Sequence, residues 1–186
     1  MRGAILWTLF LVLAACASTK TTGPYQPASE LSRDTTRAER LNREAAALMG
    51  EDPGRAEELL REALTCDLFF GPAHNNLGVL FLKLDKLYEA ASEFEWARKL
   101  LPGHPDPRVN LALTMEKAGK TDDALAAYDA ALEVYPGYLP AIMGAASLSL
   151  RTGREEARLR EWLEAISLRA RETRWREWSR GQLASL

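Results

Sequence analysis

The sequence predicts an all-α chain, a solenoid of antiparallel helix pairs, on three observations. Residues 71–138 read as two copies of one repeating unit: a shift of 34 lays Phe94 on Tyr128, Ala90 on Ala124, Ala97 on Ala131 and Pro102 on Pro136. The same shift lays Leu77 on Leu111, Gly78 on Ala112 and Phe81 on Met115, so small residues fall on small ones and bulky on bulky. Pro72 and Pro107 suit the first turn of a helix, where no amide donor is lost, and Pro102 and Pro136 end one. Each unit is helix, turn, helix, stop.

The residue types follow from how such a unit packs. Gly78, Ala112, Ala90 and Ala124 are small where two antiparallel helices approach closely, and Phe94 and Tyr128 fill the space towards the next helix. Burial of each aromatic contributes about 1.5–3 kcal/mol. This spacing resembles the tetratricopeptide repeat, W-x2-L-G-x2-Y, then A-x3-F, then A and P, which recurs with the same period. The first copy matches at Leu77, Gly78, Phe81, Ala90, Phe94, Ala97 and Pro102, and the second at Leu111, Ala112, Met115, Ala124, Tyr128, Ala131 and Pro136. Where that pattern opens on an aromatic, His74 and Arg108 stand instead.

Ahead of the repeats, one positive charge at Arg2 precedes an almost continuously apolar run over 3–14, then Leu13-Ala14-Ala15-Cys16. The run is too short for a membrane span of about 20 residues, so 1–15 reads as a targeting segment. Small residues before a cysteine resemble a bacterial lipobox, which implies cleavage before Cys16, lipidation of its thiol and amine and, with Ala17 following, retention at the outer membrane with the domain in the periplasm. Several acyl chains anchor firmly where one is marginal. Residues 16–33 carry the lipidated cysteine and a linker rich in Ser, Thr, Gly and Pro, of the flexible class.

A degenerate repeat occupies 34–70. Ala56, Leu60 and Ala63 hold the places of Ala90, Phe94 and Ala97, and Asp52 and Pro53 cap and open the second helix. Leu41, Ala45 and Leu48 form the stripe of the first helix only if the turn at 50–54 is one residue shorter than in the next unit. Complete units follow at 71–104 and 105–138. The unit at 139–172 is divergent: Ala145, Ala146, Gly153, Trp162 and Ala165 keep register, but Arg158 replaces a small residue and Ala170 the closing proline. Without that proline the last helix is expected to run on through 171–178, with 173–186 a capping helix or tail. Trp175 and Trp178 then share a face, either to seal the solenoid end or to dock a partner.

The chain carries 24 Lys and Arg against 26 Asp and Glu. Nine arginines and six glutamates crowd 151–180, spaced to pair along a helix rather than to hold phosphates, so no nucleic-acid partner is expected. Chemistry has few candidates. Cys66 and His74 match no zinc spacing and have no third ligand nearby, so no metal, cofactor or catalytic residue is expected.

The surface for function is, by the resemblance, the inner face lined by the first helix of each repeat. Asn75, Val79, Leu82 and Lys83 fall there, then Val109, Leu113, Glu116 and Lys117, then Met143, Ser147, Leu150 and Arg151. They form a groove with an apolar middle and a charged edge, which either takes a partner segment or packs on a folded-back linker or C-terminal helix. A carboxylate clamp of the kind some members carry is absent, since Val79, Pro140 and Gly144 stand where its polar residues belong beside Asn110. The expected function is a non-enzymatic, membrane-anchored adaptor for a protein or peptide partner, resembling the repeat lipoproteins that assist assembly of pili and envelope complexes. The alternatives are an assembly element that homodimerises through the Trp-rich last helix and, more remotely, an envelope enzyme.

Overall fold

The computed structural model describes residues 33–154 and 157–186. The leader, Cys16 and the linker up to residue 32 lie outside the described residues, as do Glu155 and Glu156. Nine helices follow one another among the described residues: α1 (Thr35–Leu48), α2 (Pro53–Cys66), α3 (Gly71–Lys83), α4 (Leu87–Leu100), α5 (Asp106–Lys117), α6 (Thr121–Val134), α7 (Leu139–Thr152), α8 (Leu159–Arg169) and α9 (Thr173–Ser185). Each packs on its neighbours in sequence, and α1, α3, α5 and α7 also touch in succession, forming an inner layer. The result is a tetratricopeptide-like solenoid without strands among the described residues. None of these helices is long and apolar enough to cross a membrane.

The helix ends follow their sequences. Asp34 and Asp52 accept the amides of Arg37 and Arg55 at 2.9 Å, and Pro53, Pro72 and Pro107 sit in the first turns of α2, α3 and α5. Inside each of the later three hairpins the turn is the same device. Asp85, Gly119 and Gly153, each a full repeat period after the last, take φ of 62°, 73° and 66°. The amides that follow, of Lys86, Lys120 and Arg154, then close on the carbonyls of Phe81, Met115 and Ser149. That is the six-to-one bond of a helix ending in a left-handed residue. The α1–α2 turn has no such residue and closes with the Asp52 amide on the Leu48 carbonyl. Its shortness explains why buried Ala38, Leu41 and Ala45 precede buried Gly71, His74 and Gly78 by one position less than a full period.

Phe94 and Tyr128 are both fully buried, as are Ala90, Ala97, Ala124 and Ala131. One apolar cluster joins α1 to α4 and reaches Leu111, and a second joins α5 to α8. Met115 and Ala127 pack against both, so the core is continuous along the stack.

Two expectations fail at the C-terminal end. The last helix does not run on: α8 stops at Arg169, Ala170 is extended (ψ 132°) and 4% exposed, and α9 starts at Thr173. The physical reason is burial, since only a reversal lays Trp175, Trp178 and Leu183 on the core, and the Arg176 guanidinium bonds the Ala170 carbonyl, which the helix end leaves without an amide partner, at 3.0 Å. Nor does Arg158 take the small-residue place. It stands outside α8, 4.6 Å over the Trp162 ring and 2.7 Å from Asp129, while Leu159 is buried in its stead.

Candidate functional site: the inner face

The inner layer divides into two stretches of different chemistry. Along α1, α3 and α5 it is a ladder of amides: Asn76 donates to Asn42 at 2.9 Å and Asn110 to Asn75 at 3.0 Å, so Asn75 and Asn110 are spent on each other. Val79 and Leu82 are half-buried on the first core cluster, and Lys83 is exposed at the edge.

Along α5, α7 and α9 the face opens into an apolar cleft of about 380 Å³. Val109, Leu113, Pro140, Met143 and Trp175 wall it, with Ser147 beside them, and Leu113 is 43% exposed. A second hollow of about 340 Å³ continues it past Arg174 and Trp178. The two indoles meet edge to face with centroids 5.3 Å apart. They both rest on the second core cluster; Trp175 borders the cleft and Trp178 the hollow that continues it, so the tail helix supplies the far wall.

Glu116 is the polar centre of this cleft. Its carboxylate accepts the Tyr128 hydroxyl at 2.5 Å and the Arg151 guanidinium at 2.6 Å. Burial first, and then Glu116, push the Tyr128 phenol well above its ordinary range. Glu116 and Arg151 are therefore a structural tie between hairpins rather than free charges. Lys117 is likewise engaged, 2.7 Å from Asp85. Leu150, expected in the groove, lines a different hollow at the α7–α8 corner. Pro140 and Gly144, expected on this face only as the residues that displace a carboxylate clamp, line the cleft themselves, Trp175 joins them from α9, and Arg174 went unassigned. The one available signal was Gly144 beside a tyrosine at the phenylalanine place, because a Cβ there would overlap the phenol ring.

At the other end of the groove the Tyr138 hydroxyl bonds Asp106, and burial, followed by that carboxylate, leaves the phenol pushed up to about 12. His74 is 1% exposed. Its Nδ1 lies 2.6 Å from Glu93 and its Nε2 2.9 Å from the Leu68 carbonyl, and it stacks on Trp96 at 5.7 Å. The imidazole thus fills the aromatic place that opens the repeat, with both nitrogens occupied. Cys66 is a half-buried free thiol. Among the described residues no three His, Cys, Asp or Glu side chains are grouped to hold a metal ion.

No family model matches the sequence, and no curated protein is similar to it in sequence. Solved structures share its fold. Pseudomonas aeruginosa PilF superposes with a TM-score of 0.68 at 20% identity, over 82% of this chain and 74% of that one. MamA from Desulfovibrio magneticus gives 0.59 at 18% identity, over 78% and 77%. The first tetratricopeptide domain of Spaghetti (RPAP3), bound to an HSP90 peptide SRMEEVD, gives 0.62 at 16% identity, over 66% and 98%.

Proposed function

We propose that this chain is a non-enzymatic adaptor, tethered to the bacterial outer membrane by a lipid on Cys16, whose cleft between α5, α7 and α9 captures a segment of a partner protein in the periplasm. The observation that carries the reading is an apolar cleft at which Leu113, Pro140, Met143 and Trp175 remain partly exposed while the charged neighbours Glu116 and Arg151 are already paired. A segment with apolar residues on one face fits such a cleft, since a free carboxylate or cation would find no unpaired partner at its centre. The fold supports it as well, because a solved chain of like architecture holds a peptide. The sequence around Cys16 supports the anchor.

The experiment is site-specific photocrosslinking in intact cells from Leu113 and Met143, with Tyr88 on the far side as control. A partner band from the first two and none from Tyr88 is expected, lost in the Leu113→Glu chain at unchanged helical content. A band equally strong from Tyr88 refutes the cleft. A crosslink to a second copy of the same chain would establish the dimer instead. Cys16→Ala is expected to abolish incorporation of labelled palmitate and membrane fractionation, and retained label would refute the anchor.

A further inference from the structure

The chain enters the fold at the same end of the stack as the cleft. Val109 on α5 and Pro140 and Met143 on α7 set the cleft towards the starts of those helices, and α1, α3, α5 and α7 run the same way in an antiparallel stack. At the start of α1 the chain is pinned to the α2–α3 corner. Arg33 holds the two carboxylate oxygens of Asp67 at 2.9 and 3.0 Å, its guanidinium lies 5.4 Å over the Phe69 ring, and the Asp34 amide bonds the Cys66 carbonyl at 3.1 Å. Whatever precedes Arg33 therefore starts from a fixed point.

Reach and chemistry both match that preceding chain to the cleft. Axes of packed helices lie about 8–10 Å apart, so the gap between α5 and α7, two and a half spacings from α1, is about 20–25 Å away. Tyr25 precedes Arg33 by eight residues, which extended cover about 26–29 Å. The cleft offers no unpaired charge: Glu116 holds Arg151, and Arg174, beside Trp175 and Trp178, lies 2.6 Å from Glu172. Its complement is the stretch 21–29, which carries no charge between Lys20 and Glu30 and holds Pro24, Tyr25 and Pro27. Prolines three apart stand on one edge of a polyproline II turn, the form that aromatic-lined grooves accept. Trp175 and Trp178, with ring planes 86° apart, supply such a lining. We propose that residues 24–27 of this chain occupy its own α5–α7–α9 cleft whenever no partner does, with the prolines against the indoles.

The test uses the full chain, purified in detergent micelles without any partner, with photoreactive benzoylphenylalanine in place of Tyr25. Irradiation is expected to join that position to Met143 or Trp175 of the same molecule, as mapped by mass spectrometry. Pro24→Ser with Pro27→Ser should lower the yield at least about fivefold, whereas Ser18→Ala leaves it unchanged. In a 15N spectrum of the chain with Tyr25 restored, the double substitution should move the Trp175 indole resonance and leave that of Trp162, which lies outside the cleft, in place. Insertion elsewhere, a crosslink only to a second copy, or an unmoved Trp175 resonance overturns the docking. The inference rests on the cleft of the adaptor reading but needs no partner, so a missing partner band in cells refutes that reading alone.

Discussion

Phe94 and Tyr128 stand one period apart at the same place in consecutive hairpins, and both are fully buried, yet they do different things. The Phe94 ring closes over Gly78 of its own hairpin, so near that a Cβ there would lie 2.7 Å from it. The Tyr128 ring passes over Gly144 of the next hairpin, and its hydroxyl reaches Glu116, which in turn holds Arg151. One oxygen converts packing within a repeat into a tie between repeats. Apolar bulk sets the period of the stack, and a polar atom added at one position decides where two units are bolted together and the cleft is formed.

The largest way to break the comparison is Phe94→Ala, which removes a buried ring from the middle of the stack. It is expected to cost about 4 kcal/mol in urea unfolding. The exchange Phe94→Tyr sharpens it. Counting back 34 from Gly144 gives Asn110, so the new hydroxyl meets a side chain where Tyr128 meets none. A loss of about 2 kcal/mol from overpacking is expected, with at least about 1 kcal/mol recovered when Asn110→Gly is combined with it. Full additivity of the two changes would refute the equivalence of the sites.

Tyr128→Phe removes the tie and keeps the ring, for an expected loss of about 1.5 kcal/mol at neutral pH. It has a pH signature. The folded phenol is raised above its unfolded value of about 10, so its contribution is fully present below that pH and is lost as pH rises through the folded value. The parent should therefore lose more stability than Tyr128→Phe between about pH 10 and 12. Equal slopes would mean the hydroxyl is not held by Glu116. The smallest effect is expected from Arg151→Gln, about 0.5 kcal/mol, since the guanidinium is 59% exposed and solvent screens the pair.

An N-terminal lock behaves with opposite sign. Asp67 loses solvation on burial, but bonds from Arg33, Thr35 and the Phe69 amide outweigh this and hold its carboxyl below the usual range. Its stabilisation is present above the unfolded carboxylate value of about 3.9 and fades as pH falls.

The repeat period, the small residues at the helix crossings, the buried rings and the helix-opening prolines all lay in the sequence, because each is a local or nearest-neighbour requirement that recurs. Even the short first turn was legible, through the register of Leu41 and Ala45. The reversal at Ala170 was not, since no residue there forbids a helix and only the burial of Trp175 and Trp178 on a core built far upstream favours the break. The roles of Glu116, Arg151 and Asn75 were equally hidden. Each reads as a free polar group along its own helix and finds its partner on another hairpin, as Arg151 does with Glu116 and Asn110 with Asn75. Local pattern determines what repeats, and three-dimensional neighbours alone decide which charges remain for a ligand.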